Sequence, residues 1–251
     1  MKREGVASFE DYPFCIPVIR KFRRMEFHPA VTFLIGENGM GKSTLIEGIA
    51  VKMGFNPEGG SRNFQFTTRA SHSELYEHLV IERGVKYPKD GYYLRAESFY
   101  NLATEIERMD AIPVNVPPII KSYGGRSLHE QSHGESFFSL LLNRLKGNGI
   151  YIFDEPEAAL SPARQMSVLT LIHRLVAKNS QFIIATHSPI LMAYPNARIY
   201  LISEKGVRKT RYTETEHYNV TRDFLNRHEK MLDILLEAEG VNTAPGKRSG
   251  T

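Results

Sequence analysis

One cysteine in 251 residues, no apolar run longer than a strand, no internal repeat and no heptad pattern: these shortages remove whole classes of protein before any motif is read. A lone thiol cannot make an internal disulfide framework or a thiolate metal cluster. It stands in the apolar stretch Phe14-Cys15-Ile16 with no motif around it, which predicts a buried structural thiol. The longest apolar runs, Ile150 to Phe153 and Phe182 to Ala185, are strand-length. No segment is therefore expected to cross a bilayer as a helix, and any membrane role goes through a partner. The first residues, MKREGVASFEDYPF, lack the apolar stretch and cleavage site of a secretion signal, so a cytoplasmic location is expected. Without heptads there is no coiled-coil arm. Charge is mild as well, at +4, which permits nucleic-acid contact without arguing for it. The densest basic cluster, Arg20-Lys21-Phe22-Arg23-Arg24, reads more readily as the solvated edge of a strand than as a phosphate-binding patch.

What is present is an ordinary globular composition, 41% hydrophobic and 24% charged, sufficient for one sizeable core with a small lobe. Val31 to Ile35 is a short apolar run ending at glycine, and Lys42 to Met53 carries apolar residues at helical spacing, giving strand, loop, helix. Phe64 to Thr68, Leu79 to Glu82 and Tyr92 to Arg95 read as strands of an antiparallel sheet. Pro113, Pro117 and Pro118 make 110–121 a loop. Beyond Ser127 the pattern alternates: helix from His133 to Leu145, strand Ile150 to Phe153, helix from Pro162 to Ala177, strand Phe182 to Ala185, and a last strand at Ile199 to Ser203. Alternation of this kind predicts a parallel sheet. Asp223 to Ala238 reads as helix, and 240–251 has nothing apolar to hold it, predicting a disordered tail.

Two motifs carry chemistry on their own. Gly36-Glu37-Asn38-Gly39-Met40-Gly41-Lys42-Ser43, followed by Thr44, fits G-x-x-x-x-G-K-[ST] and lies between the predicted strand and helix. Glycines let successive backbone N–H groups turn toward phosphates, and the helix start adds partial positive charge. Lys42 is placed to reach β- and γ-phosphate oxygens and the Ser43 hydroxyl to ligate Mg²⁺, so ATP and Mg²⁺ are the expected ligands. The second motif, Gly149-Ile150-Tyr151-Ile152-Phe153-Asp154-Glu155-Pro156, delivers two carboxylates at a strand end, where ligands bind in open α/β sheets. Neighbours on a strand point to opposite sides, which gives Asp154 to the metal and Glu155 to the attacking water.

Three weaker signals follow in order. Gln131-Ser132-His133-Gly134-Glu135 opens the helix at 133 and is a capping box, with Ser132 three residues before Glu135. Glu157-Ala158-Ala159-Leu160-Ser161-Pro162 trails the acidic pair and ends in an N-cap followed by proline. Thr186-His187-Ser188-Pro189 follows a strand, and a histidine there can contact a γ-phosphate or the attacking water.

Taken in that order, these motifs resemble the ABC-type ATPases over about residues 14–204, in the SMC, RecF and OLD branch and its compact stand-alone bacterial members. The loop looks like the G-x-N-G-x-G-K-[ST]-x-L-x-[ED]-[AG]-I of that group, and Asp154 to Pro162 like its D-E-P-E-x-x-L-x-P. Transporter subunits usually carry Ser or Thr at the position of Glu157 and Asp at that of Ser161. Leu94-Arg95-Ala96-Glu97-Ser98-Phe99 fits the compact members. The resemblance implies a single α/β P-loop NTPase domain of ABC ATPase architecture over 1–239. Its mostly parallel core sheet would be flanked by helices, with an N-terminal antiparallel β-subdomain and a helical lobe over about 98–146. It implies that Ser132, Gly134 and Glu135 form the signature that engages the γ-phosphate held by a second copy, with Gln131 and His133 departing from the L-S-G-G-Q pattern. It further implies catalysis by Glu155 with His187 as switch residue, an ATP-dependent homodimer and a separate effector protein. The family's Q-loop glutamine has no counterpart in 93–101, leaving Glu97 or Ser98 to substitute, and Tyr12, Phe14, Phe22 and Phe27 are candidates to stack on adenine. A DNA-linked, repair or defence ATPase is the reading favoured by motif wording. A transporter subunit and a nucleotide-dependent binding module with little turnover are its competitors.

Overall fold

In the computed structural model, which describes residues 1–62, 73–113, 117–130 and 133–238, the elements run α1 (Pro17–Lys21), β1 (Val31–Ile35), α2 (Lys42–Lys52), β2 (Gly60–Ser61), α3 (Leu75–His78), β3 (Asp90–Arg95), α4 (Phe99–Asp110), α5 (His133–Arg144), β4 (Gly149–Asp154), α6 (Pro162–Val176), β5 (Gln181–Ala185), α7 (Pro189–Met192), β6 (Arg198–Ser203), β7 (Gly206–Thr210), α8 (Glu216–Asn226) and α9 (His228–Ala238). They divide into two compact units, Met1–Arg211 and the segment from Tyr212 onward.

The first unit is built on a seven-stranded sheet of order β2-β3-β4-β5-β1-β6-β7. Strands β3, β4, β5, β1 and β6 are mutually parallel, and only the edge strands β2 and β7 run antiparallel. Every residue of β1 and β4 is buried. That is why their sequences are continuous apolar runs and not alternating ones: helices cover both faces of a parallel sheet. The register sets Arg95 beside Asp154, Asp154 beside Ala185, and Leu34 beside Ala185. The carboxyl ends of the parallel strands therefore meet along one edge, with β1 in the middle, and the residues that follow those ends share one crevice.

Helix α2 leaves β1 through the glycine loop and buries Leu45, Ile46, Ile49 and Ala50 in a core it shares with Leu34, Ile152, Ile183 and Ile202. Between β3 and β4, helices α4 and α5 meet through Phe99 and Phe137, whose ring centroids are 5.4 Å apart. The far end of α5 is tied to the sheet by a polar knot. Asp90 at the start of β3 accepts from Tyr151 Oη at 2.8 Å, from Arg144 Nη1 at 3.0 Å and from the Lys146 N–H at 3.2 Å. The Tyr151 hydroxyl in turn accepts from the Gly147 N–H at 2.9 Å. The unit from Tyr212 onward holds α8 and α9, with Thr215 capping α8 through the Tyr218 N–H at 3.3 Å. The chain breaks helical geometry at Arg227 (φ −142°, ψ 34°), so the predicted helix from Asp223 to Ala238 is instead the end of one helix and the whole of another.

The α/β class, the parallel core and the flanking helices are as expected from sequence; the antiparallel layer is not. Before β1 the described residues carry only the short α1 and no strand, and the antiparallel pairings are β2 with β3 and β6 with β7. Tyr92 to Arg95 belongs to β3 and pairs in parallel with β4. Leu79 to Glu82 alternates buried and exposed as a strand would, but no described strand lies alongside to take its backbone hydrogen bonds, and it stays irregular. The Arg20 to Arg24 cluster spans the end of α1 and the coil after it, not a strand edge. Cys15 is exposed, because the turn before α1 puts Phe14 inward and its neighbour outward. The predicted strand at Phe64 to Thr68 and the tail at 240–251 lie outside the described residues.

Asp90 provides a test of the knot. Burial raises its carboxyl, but the Tyr151 hydroxyl, Arg144 and the Lys146 N–H outweigh that and hold it below the usual range. A depressed carboxylate adds stability that is complete above its unfolded value of about 3.9 and is lost as pH falls through the folded value. Asp90→Asn should cost about 2 kcal/mol in urea unfolding at pH 7, between surface and buried ion-pair values. The difference from the parent protein should shrink below pH 4.

Candidate functional site

The loop after β1 can close because of one glycine in particular. Gly36 has φ 148°, and a Cβ there would sit 2.2 Å from the Ile202 carbonyl oxygen of β6, so no side chain fits. Gly41, at φ 87°, stands at the N-cap of α2 against Ile16 and Val18. Lys42 opens the helix yet is only 4% exposed. Its Nζ turns back across the loop and donates to the Gly36 and Glu37 carbonyls, both at 2.8 Å. Burial lowers its pKa, while the carboxylates of Glu155, Asp154 and Glu157 oppose that shift. Glu37, Asn38 and Gly39 form the exposed crest of the loop, Met40 is half-buried, and Thr44 is half-buried on the first turn of α2.

Ser43 donates to Asp154 Oδ1 at 3.2 Å. This bond joins the first turn of α2 to the last residue of β4, two positions 111 residues apart in sequence. Asp154 is 4% exposed, and burial pushes its carboxyl up to about 7 against the lowering effect of Arg95. A buried carboxylate beside a hydroxyl is a pair of hard oxygen donors, which fits Mg²⁺. Among the described residues no three His, Cys, Asp or Glu side chains gather into a closed cage.

The two adjacent acids diverge for a reason other than strand alternation. The strand ends at Asp154, and Glu155 takes the left-handed conformation, φ 51° and ψ 51°, its N–H bound to the Ala185 carbonyl at 3.0 Å. For a residue with a Cβ this costs about 1–2 kcal/mol, and it turns the Glu155 carboxylate out of the sheet. Glu155 Oε1 lies 3.5 Å from His187 Nε2. Burial first, and Lys42 second, lower the His187 pKa, which favours the neutral imidazole. The His187 backbone is pinned by Glu157, whose Oε1 accepts from the His187 N–H at 2.5 Å. The next residue, Ser188, caps α7 and donates to Gln165 Oε1 of α6 at 2.5 Å. Strand ends β1, β4 and β5 thus bring Lys42, Ser43, Asp154, Glu155 and His187 to one place.

Two of the three signature residues, Gly134 and Glu135, fall within the described residues. Gly134 lies in the first turn of α5, where a Cβ would come 2.9 Å from the Ala159 carbonyl, and no atom of the glycine loop is within 4 Å of that point. Glu135 is exposed. Ser132 lies outside the described residues. Of the two residues proposed for the missing glutamine, Ser98 is buried and donates to the Glu58 carbonyl at 2.7 Å, whereas Glu97 is exposed and pairs with Arg95 at 3.2 Å, next to Asp154. Of the four aromatics, Phe14 and Phe22 are buried in the core and offer no free face. Tyr12 is 59% exposed and precedes the segment that packs on Gly41.

Three further participants were given no role in the site by sequence. Arg95 stands in register with Asp154, bridges Glu47 at 2.8 Å and Glu97 at 3.2 Å, and its charge opposes the rise in the buried acid's pKa. Its signal was available: a charged residue at the carboxyl end of a strand in an α/β sheet. Glu157 lies in the D-E-P-E-x-x-L-x-P stretch, but its bond to the histidine backbone depends on a turn that spacing does not reveal. Gln165 sits one turn into a helix, and only the placement of Ser188 against it shows what it holds.

Residues 123–193 match a family model described as "AAA domain, putative AbiEii toxin, Type IV TA system". The chain is also similar to solved structures. One is a nucleotide-free ATP-binding cassette from an ABC transporter, at 20% identity over 82% of this chain and 88% of that one, with TM-score 0.45. Another is cbiO1 from Clostridium perfringens, part of the ABC transporter complex cbiONQ, at 17% identity over 84% and 89%, with TM-score 0.43. A third is a dimeric bacterial ABC transporter cassette at 15% identity over 75% and 88%, with TM-score 0.42. The comparison with curated proteins gives no match. Loop, sheet and family match support a P-loop ATPase domain of the ABC/AAA type.

Gly36 and Gly39 separate packing from function in the loop. Gly36→Ala should lower stability by at least about 3 kcal/mol, since backbone must move to admit the methyl. Gly39 meets nothing within 4 Å, so Gly39→Ala should cost only about 1 kcal/mol of left-handed strain. Thermal melts of the two variants check this, and equal losses would mean the loop is not packed as described.

Proposed function

We propose that this protein binds ATP with Mg²⁺ and hydrolyses it in the cytoplasm, using the nucleotide to pair two copies head to tail and to switch a separate effector. The observation that carries the reading is the convergence of Lys42, Ser43, Asp154, Glu155 and His187 at the carboxyl ends of three parallel strands. Lys42 exchanges its two loop carbonyls for β- and γ-phosphate oxygens, and the N–H groups of 36–44 line the phosphates. Ser43 and Asp154 would hold Mg²⁺, which neutralises phosphate charge when bound. Glu155 accepts a proton from the attacking water as the water oxygen bonds to the γ-phosphorus and the bond to ADP breaks. His187, neutral near pH 7, offers one ring nitrogen as donor and the other as acceptor to keep water and γ-phosphate in line.

The pairing is read from the signature. Ser132, Gly134 and Glu135 resemble the residues with which ABC ATPases engage a phosphate held by a second copy, and the absence of any glycine-loop atom within 4 Å of a Cβ on Gly134 supports that reading. The partner-directed role rests on the wording around the acidic pair, where Glu157 and Ser161 stand in place of the transporter residues, and on the SMC, RecF and OLD likeness. A DNA-linked, repair or defence process is the setting we favour, and the matched family's description as a toxin–antitoxin domain supports it over a transporter subunit. Within the site, Glu97 takes the place of the glutamine that reports on the metal, and Tyr12 stacks on adenine.

Glu155→Gln should reduce phosphate release by about 10²–10⁴-fold and trap an ATP-bound dimer, seen by light scattering. A variant that stays monomeric with saturating ATP would rule out the paired arrangement. Phosphate release that is negligible in the parent protein would instead favour the binding module. Lys42→Ala should weaken ATP binding by at least about tenfold, the loss of a charge-assisted contact to phosphate, with folding intact by circular dichroism.

A further inference from the structure

At the opposite end of the sheet from the phosphates, where the parallel strands begin, lies a groove of about 1090 Å³. That volume exceeds the usual small-ligand pocket. Its floor is aliphatic, made by Ile49, Met53, Leu79, Ile81, Ile150 and Ile183. Its walls gather basic residues from four distant stretches of sequence: Arg23 and Arg24, Arg62, Arg83 and Lys86, and Arg198. Against these six cations stand two carboxylates, Glu26 and Glu82. Both are engaged by Arg24, at 3.8 and 3.6 Å, and Arg198 reaches Glu26 at 3.9 Å. Arg23, Arg62, Arg83 and Lys86 have no carboxylate within ion-pair distance among the described residues. An apolar trench rimmed by unneutralised cations attracts the complement of both features.

We infer that this groove is the docking surface for an acidic amphipathic segment of a partner protein, the effector of the ATPase reading. Apolar side chains of such a helix would enter the trench while its carboxylates meet the rim, the groove mode of peptide recognition. A nucleic-acid strand fits less well. Its bases need open aromatic faces, and the one exposed ring here, Tyr87, already has Arg62 and Arg83 over it with guanidinium-to-centroid distances of 5.7 and 5.8 Å. The groove also shares its elements with the nucleotide site. Ile49 and Met53 close α2, which begins at Lys42; Gly149 opens β4, which ends at Asp154; Gln181 opens β5, which leads to His187. A segment seated there touches one end of the elements whose other ends hold phosphate and metal, a packed route for coupling.

The test uses the full chain and three fluorescent probes of about 18 residues or nucleotides, long enough for five helical turns: an amphipathic helix of Leu, Ala and Glu, the same helix with Lys for Glu, and a single-stranded oligonucleotide. Anisotropy should show the acidic peptide binding, with affinity falling at least about tenfold in Arg83→Glu/Lys86→Glu and on raising salt from about 0.1 to 0.5 M. Val85→Asp, at a fully exposed wall position, should weaken it without affecting folding. Equal binding of the Lys peptide, no binding of the acidic one, or an oligonucleotide that binds more tightly and is lost in the same double variant would overturn the proposal. Lys42→Ala separates the two readings: it should weaken ATP binding by at least about tenfold and leave peptide binding intact.

Discussion

The bond from Ser43 to Asp154 is where the two halves of the site become one. In the proposed function the N-terminal half, β1, the glycine loop and α2, cradles phosphate, and the C-terminal half, β4 and the acidic turn, handles metal and water. Parallel pairing makes the bond available. Because β1 and β4 both flank β5 and run the same way, their carboxyl ends emerge on one edge, and a serine one residue into the helix after the first meets an aspartate at the end of the second. No antiparallel arrangement of the same strands would bring those two ends together.

The cost of this arrangement is concentrated at three residues. Asp154 is buried with a carboxyl pushed to about 7, so at neutral pH it is not fully committed as an anion. Glu155 is bent into left-handed backbone, and Lys42 is buried with its ammonium spent on its own loop carbonyls. Each is unfavourable alone, and each is offset by the same event. In the proposed function, a nucleotide with its metal would give Lys42 anionic oxygens in place of peptide carbonyls, Asp154 a cation, and Glu155 a water to face. Strain of this kind persists only where surrounding structure over-determines it, and at Glu155 the Ala185 carbonyl supplies that support by accepting its N–H.

The parts of this site that were legible from sequence are those whose chemistry fixes spacing. A phosphate loop needs its glycines and lysine at set intervals, and a fully buried parallel strand must be apolar throughout, so residues 31–44 and 149–155 could be read directly. The sequence was silent where partners are distant. Leu79 to Glu82 has strand alternation, yet a strand exists only if another lies beside it. Cys15 lies between apolar neighbours, yet a turn decides which of them faces inward. Arg95, Glu157 and Gln165 act through positions 47, 187 and 188, and local sequence does not reveal those partners. Alternation also gave the right outcome for the acidic pair on the wrong grounds: the carboxylates part because the strand stops between them.

Glu157 shows how one side chain can separate related machines. Its carboxylate accepts the His187 N–H and so fixes the histidine by its backbone, leaving the imidazole to turn toward Glu155. A serine or threonine at this position has a shorter reach and no charge, so the same histidine would have to be placed by other means. The bond also ties the turn after β4 to the turn after β5, and Gln165 and Ser188 repeat that tie one step farther out. Any displacement of the 156–161 segment is then felt at His187 without crossing the phosphate loop. Since that segment also presses its Ala159 carbonyl against Gly134, the start of α5 and the histidine are joined through two contacts and a short turn. In the proposed pairing, a phosphate brought to α5 by a second copy would act on Gly134, and contacts through Ala159, Glu157 and His187 lead from there to Glu155.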